Sequence, residues 1–291
     1  MNLKLQQLTR KNKKLEKECS DFLEKSPNAF FQQTLEWRDL IESTKTDKSV
    51  FLIAKDKNKI VGILPLFIIK SPYGNIINSV PYPGPLGGVV INKVRNKKKI
   101  FRFLIDGIKE LAKKENCVLA TIISSPFEND AKLYREHLNP EWELKNYTLY
   151  IDLKKPVITK SHFRNNLKRM LKRASKNSMF VEQTSDQKLI KNWYKIHTKR
   201  HLGLKLEPIP QQIILGAIKY LMPKNKARFF VVMKNDKIEA GCLICYHKNI
   251  VDTYIYSGSP DSYKNGAMYL LIDHIVTWTK RESFSILNWQ S

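Results

Sequence analysis

Leu104-Ile105-Asp106-Gly107-Ile108 and Leu271-Ile272-Asp273-His274-Ile275 are two versions of one pattern. With their offset held, Lys113-Lys114-Glu115 falls on Lys280-Arg281-Glu282. Around each, apolar residues recur at helical spacing, and the chain then enters a strand, over 118–123 and again over 284–289. Upstream the correspondence continues in the same order. Val50-Phe51-Leu52-Ile53-Ala54, a charged turn and Ile60-Val61-Gly62-Ile63-Leu64 read as a β-hairpin. The counterpart is Phe229-Phe230-Val231-Val232-Met233, a turn at 234–237, and a run from Ile238 to Leu243. An aromatic-bearing helical segment precedes each hairpin, around Trp37 and around Trp193. Two amphipathic helices resemble one another by chance; an ordered set of helix, hairpin, strand, helix and strand does not recur by chance. The pattern predicts an α/β (α+β) protein of two tandem lobes, each a mixed, mainly antiparallel sheet flanked by helices.

The boundaries that follow are an N-terminal helical segment over 1–27, a first lobe over 28–155, a basic connecting helix within 156–182 and a second lobe over 183–291. The first copy runs on into a helix at 131–138 and a strand at 147–153, whereas the sequence stops at Ser291 just after the second copy's matching strand. An edge strand without its partner exposes backbone donors and acceptors. The second lobe is therefore expected to be incomplete, or to have its place filled by the first copy's elements.

Composition narrows the function. Hydrophobic residues at 42% and aromatics at 10% of 291 residues mark a globular chain. Lysine and arginine number 51 against 27 acidic residues, a formal charge of +24, which points to an anionic partner. No transmembrane segment is expected, since the longest apolar runs fall far short of ~20 residues. Residues 1–25 lack the apolar core of a secretory leader, so a cytoplasmic protein is expected, at work if need be on the inner membrane face. Cys242 and Cys245 have C-x-x-C spacing, but no second pair or flanking histidines complete a zinc site. Strand alternation would send their sulfurs to opposite faces, as buried structural thiols. No metal is expected. His197 and His201, four apart, read as a surface pair beside Lys199 and Arg200.

The central basic segment is the most distinctive. From Ser161, a candidate N-cap, Phe163, Leu167, Met170, Leu171 and Ala174 fall on one helical face. Arg164, Lys168, Arg169, Lys172, Arg173 and Lys176 take the other, and no acidic residue interrupts 154–180. Like charges at i,i+4 destabilise a helix by a few tenths of a kcal/mol per pair. An anionic ligand explains why the sequence keeps them uncompensated; a solvated surface helix is the plainer alternative. Arginine suits bidentate phosphate contact and lysine supplies point charge.

These residues, with Phe30-Phe31-Gln32, Trp37, the Pro81-Tyr82-Pro83-Gly84-Pro85-Leu86-Gly87-Gly88 loop, Tyr150-Ile151-Asp152-Leu153, Tyr254-Ile255-Tyr256-Ser257-Gly258 and the closing Asn288-Trp289-Gln290-Ser291, resemble the FemAB-like branch of the GNAT acyltransferase superfamily. The resemblance spans most of the chain and implies two tandem GNAT-like lobes. It implies transfer of acyl or aminoacyl groups to amines, with acyl-CoA or aminoacyl-tRNA as co-substrate and no tightly bound cofactor. Peptidoglycan-type aminoacyltransferases and acetyltransferases are similar to this sequence at the same level. Candidate anionic partners are therefore CoA, tRNA, an acidic carrier or a lipid-linked precursor, the last with peripheral membrane contact. Family proteins usually continue past the Asn-Trp-Gln-Ser segment. In one respect the sequence departs from the pattern: a standard GNAT lobe cradles pyrophosphate with a glycine-rich loop at a helix N-terminus, and Ser259-Pro260-Asp261-Ser262-Tyr263-Lys264-Asn265-Gly266-Ala267 lacks that glycine spacing.

Acyl transfer to an amine needs a neutral amine, a polarised carbonyl and protonation of the leaving group; direct attack needs no protein nucleophile. In the strand at 251–257, alternation puts Asp252, Tyr254 and Tyr256 on one face. A tyrosine there would protonate the leaving group and Asp252 would orient the amine, unless the trio simply packs the core. Tyr82, Gly84, Gly87 and Gly88 have two open readings, as turn punctuation or as a loop whose N–H groups meet a carbonyl or phosphate. The alternative to an enzyme is a polyanion-binding protein on a GNAT-like scaffold without catalysis. The basic helix has no base-reading side chains, which favours phosphate handling over sequence recognition.

Overall fold

The computed structural model describes residues 1–8, 12–27, 29–44, 48–79, 86–92, 95–155 and 165–289. Tyr82, Gly84, Ser161, Phe163 and Arg164 lie outside the described residues, as do Gln290 and Ser291. The chain divides into two compact units, Met1–Tyr147 and Thr148–Ser291.

In the first unit, β1 (Leu3–Leu8) leads into α1 (Lys13–Glu24), a 3-10 turn (Phe31–Gln33) and α2 (Leu35–Thr44). Then come β2 (Lys48–Asp56), β3 (Lys59–Ser71), β4 (Gly74–Asn78), α3 (Lys97–Lys114), β5 (Cys117–Thr121) and α4 (Ala131–Leu138). The sheet runs β1-β2-β3-β4-β5, antiparallel except for β4 and β5, which are parallel across the α3 crossover. Period-2 alternation divides its apolar residues between two covered faces. Leu52, Leu64 and Leu66 meet Phe101, Leu104 and Ile105 of α3, while Phe51, Ile53 and Ile63 meet Leu15, Cys19 and Leu23 of α1. The expected all-helical N-terminus is thus half wrong. Leu3, Leu5 and Leu8 form strand rather than helix, because pairing with Asp56, Ala54 and Phe51 covers the edge of the hairpin.

The second unit opens with β6 (Tyr150–Asp152) and α5 (Asn165–Lys176), then β7 (Phe180–Thr184), α6 (Gln187–Gly203) and α7 (Gln211–Gly216). It continues with β8 (Ala227–Lys234), β9 (Lys237–His247), β10 (Ile250–Gly258), α8 (Ser262–Asn265), α9 (Ala267–Arg281) and β11 (Ile286–Asn288). Sheet order is β7-β8-β9-β10-β11-β6. It repeats the first sheet strand for strand, with β10 and β11 parallel across α9 as β4 and β5 are across α3. Both crossover helices end on basic residues, Lys113-Lys114 and Lys280-Arg281, where cations suit the helix dipole.

A sixth strand joins the second sheet at the edge that matches the β5 edge of the first sheet. Tyr150–Asp152, which the sequence reading places in the first lobe, pairs antiparallel with Asn288–Ile286 and covers the outer edge of β11. The contacts divide the chain between Tyr147 and Thr148, and α5 packs on α8 and α9 of the second unit. The basic helix is therefore part of that unit's surface rather than a free-standing connector. No helix among the described residues is long and apolar enough to cross a membrane.

Candidate functional site

Strand β10 carries the predicted trio, and a bulge rearranges it. Asp252 faces Cys245 and Ile255 faces Leu243, so three steps on β10 match two on β9. One extra residue reverses the side-chain alternation beyond it. Asp252 then shares a face with Cys245 and Leu243, whereas Tyr256, opposite Cys242, joins Val251 in the core against α9. The expectation that Asp252 and Tyr256 line one face fails for this reason. Asp252 is 1% exposed and its Oδ1 accepts a hydrogen bond from Asn288 Nδ2 at 2.6 Å. Asn288 Oδ1 accepts in turn from Thr148 Oγ1 at 2.6 Å, and the Thr253 hydroxyl reaches the Asn288 and Trp289 carbonyls. Tyr254 is buried. Tyr256 is half-buried, its ring 5.8 Å from that of Trp289.

The two cysteines take opposite faces and both are buried, Cys242 among the α9 contacts and Cys245 across from Asp252. Burial pushes both thiols up, and the Asp252 charge adds to the effect on Cys245. Among the described residues no group of three His, Cys, Asp or Glu side chains is arranged to hold a metal ion.

Helix α5 lays its apolar stripe on the start of α9. Met170 and Ala174 are buried, while Lys168, Arg169, Lys172, Arg173 and Lys176 are exposed. Arg169 donates to Asn166 Oδ1 at 2.9 Å. Among the described residues no carboxylate pairs with Arg169, Lys172, Arg173 or Lys176, so four cations line one face of about two turns. The seat beneath the helix is Gly266. Its φ of +95° suits glycine, and a Cβ there would fall on the Met170 carbonyl oxygen and come within 3.1 Å of Ala174 N. The loop from β10 to α9 is also closed from within. The Ala267 N–H donates to Asn265 Oδ1 at 3.0 Å, and Asn265 Nδ2 and Ser259 Oγ both donate to Glu239 Oε2, at 2.9 and 2.8 Å. An anion arriving at the start of α9 would meet the backbone of α5 and a carboxylate behind the loop.

In tertiary fold the chain is similar to solved proteins. FemX superposes with a TM-score of 0.75 at 12% identity, over 99% of this chain and 88% of that one. A tandem GNAT protein from the clavulanic acid biosynthesis pathway covers 99% of this chain and 89% of its own, at TM-score 0.55 and 10% identity. The C-terminal DUF2156 domain of a putative lysylphosphatidylglycerol synthetase from Agrobacterium fabrum covers 96% and 79%, at TM-score 0.56 and 13% identity. The fold is that of tandem GNAT proteins. No family model matches the sequence, and no curated protein does.

Within the GNAT fold, the described part of the Pro/Gly loop belongs to the first unit and is turned inward. Gly87 and Gly88 are buried; the Gly88 carbonyl accepts from Gln33 Nε2 at 3.1 Å, and the Val89 N–H donates to Tyr134 Oη at 2.9 Å. Gly88 has φ +87° with the Tyr134 hydroxyl against it, a structural reason for glycine. A nearby cavity of about 240 Å³ is lined by Gln33, Val89, Asn92, Lys97, Glu128 and Asp130. Its one cation, Lys97, is already held by Glu128 at 2.7 Å and Asp130 at 2.8 Å, so phosphate has no unpaired ammonium there.

Two buried polar groups escaped the sequence reading. His197 is 1% exposed rather than on the surface. Its Nε2 accepts from the Ile209 N–H at 3.3 Å, which leaves the proton on Nδ1, facing Ser257 Oγ at 3.0 Å. Trp193 stacks on the ring and donates its indole N–H to the Ser257 carbonyl at 3.1 Å. The available signal was the helical stripe Ile190, Trp193, His197, which continues an apolar face. The second is Gln32, fully buried, with neither amide atom hydrogen-bonded among the described residues.

Proposed function

We propose that this protein is an N-acyltransferase that moves an acyl or aminoacyl group from an activated donor to an amine of a cell-envelope, sugar or peptide acceptor. The observation that carries the reading is the uncompensated cationic face of α5, seated by Gly266 on the start of α9 in a GNAT fold. GNAT lobes take phosphate at that helix start; here it is closed, and the neighbouring cations offer the replacement. Of the two donors, acyl-CoA and aminoacyl-tRNA, this arrangement favours the polyanion, whose successive phosphates match a row of cations better than one pyrophosphate does.

The amine nitrogen attacks the donor carbonyl carbon, the C–O bond of an ester (or C–S of a thioester) breaks, the amine gives up a proton and the leaving atom gains one. We assign leaving-group protonation to Tyr256, the half-buried member of the trio, rather than to buried Tyr254. Asp252 acts as a positioning residue through Asn288, holding the β10–β11 pair around the site. Arg164, Lys168, Arg169, Lys172 and Arg173 hold phosphates; of the Pro/Gly loop, Tyr82 and Gly84 are the substrate-side residues, since Gly87 and Gly88 are turned inward.

The test incubates the protein with radiolabelled acetyl-CoA or aminoacyl-tRNA and a panel of amines. Amide product from aminoacyl-tRNA is the expected result, with kcat reduced about 100-fold in Tyr256→Phe. Transfer from neither donor, together with tight tRNA binding, would establish the non-catalytic polyanion-binding alternative instead.

A further inference from the structure

Helix α6 ends in a turn that holds three leucines out into solvent. Leu202, Leu204 and Leu206 are 62%, 58% and 54% exposed, and every residue from Leu202 to Glu207 is exposed. This is an ordered turn rather than a frayed end. The Leu206 N–H donates to the His201 carbonyl at 2.9 Å and the Lys205 N–H to the Leu202 carbonyl at 3.0 Å, with Lys205 at φ +57°. Those bonds close a Schellman motif. In most such turns the last apolar residue folds back onto the helix; here it points outward with the other two.

The surroundings are cationic and aromatic. Lys199 and Lys205 are exposed, and Arg200 lies 5.4 Å over the ring of Tyr263, itself 42% exposed. Glu207 is the single acid between Lys199 and Glu207, and no carboxylate pairs with Lys199, Arg200 or Lys205 among the described residues. Apolar tips interleaved in sequence with cations, one of which lies over an exposed tyrosine, complement a bilayer surface: acyl chains take the leucines, anionic headgroups the cations, and the interface the phenol. A protein groove would accept the leucines but gives no reason for the unpaired cations around them.

We infer that the Leu202–Leu206 turn is a membrane-docking element that inserts into the headgroup–acyl boundary of an anionic bilayer. It is separate from the α5 face, and its test contains no donor or acceptor, so transfer activity and membrane docking stand or fall independently.

The experiment uses the full chain, labelled with an environment-sensitive fluorophore at Leu204→Cys and titrated with phosphatidylcholine vesicles with or without about a third phosphatidylglycerol. The expected result is blue-shifted, enhanced emission with the anionic vesicles. Affinity should fall roughly tenfold or more in Leu202→Ser/Leu204→Ser/Leu206→Ser, whose exposed substitutions leave the far-UV spectrum and Tm unchanged. Cosedimentation without any response of the probe, or equal affinity of the serine variant, would overturn the inference and leave α5 as the contact. Sedimentation velocity adds one further outcome: self-association lost in the serine variant, with no vesicle response, would assign the turn to a second copy of the chain and also overturn it.

Discussion

A Cβ on Gly266 would collide with the carbonyl oxygen of Met170, so the start of α9 and the middle of α5 approach backbone to backbone with no room for a methyl group. This contact decides where the cationic face sits. Replacing Gly266 with alanine adds a left-handed backbone penalty to a collision that only movement of α5 relieves. A loss of about 2–4 kcal/mol in unfolding free energy is expected, measured by urea denaturation. Anion affinity should fall with it, because the helix that bears Arg169 and Lys172 is displaced.

If the exposed face of α5 holds phosphates, its cations release counterions on binding. Arg169→Ala/Lys172→Ala/Arg173→Ala should then flatten the slope of log affinity for tRNA against log salt by about 2–3. A matched loss of three cations elsewhere, at Lys57, Lys59 and Lys237, should leave the slope unchanged. Fluorescence anisotropy across a salt series measures both. Equal slopes for the two triple variants would reduce α5 to a solvated surface.

The repeat was legible because α3 and α9 keep the same amphipathic period and the same basic C-terminus, and because the β2–β3 and β8–β9 hairpins are long and apolar. Edge strands β1 and β7 were not, since Gln6-Gln7 and Glu182-Gln183 dilute the alternation that marks a half-buried strand. The destination of β6 was legible only as one of two alternatives, the other being an incomplete second lobe. Its three residues carry no information about which sheet has a vacant edge, and only the whole topology supplies that. The amphipathic period of α5 was legible over its described residues, whereas the common face expected for Asp252, Tyr254 and Tyr256 is not the one the strand adopts. No glycine or proline marks the bulge between Asp252 and Ile255, so strict alternation put Tyr256 on the wrong side of the sheet.

Gln32 is fully enclosed, and among the described residues neither amide atom has a partner, a destabilising arrangement that packing alone does not explain. A methionine there keeps the length and removes the unsatisfied groups. Gln32→Met should raise stability by about 1–3 kcal/mol, read as an increase in Tm. An unchanged or lower Tm would mean that the amide finds partners in solution, and loss of transfer in a stabilised variant would place Gln32 in the working machinery.

His197 links α6 to the turn before α7 and to β10, and its ionisation should set the acid limit of the second unit. Burial first, then the neighbouring His201 and Arg200 charges, holds it at about 4, against an ordinary value near 6.5. Between those values the unfolded chain binds a proton that the folded chain refuses, so stability rises with pH across this window and is lost as pH falls from about 6.5 towards 4. The full effect is on the order of 3 kcal/mol. The structural consequence is specific: a proton on Nε2 removes the acceptor for the Ile209 N–H, so the 207–210 segment should loosen before the sheet does. Unfolding free energies between pH 4 and 7 should slope upward in the wild type and markedly less in His197→Gln, which keeps an amide for Ser257 but does not titrate. Amide exchange at Ile209 should accelerate on the acid side in the wild type only. A parallel slope in both proteins would assign the acid sensitivity to His274, the other histidine that burial holds low.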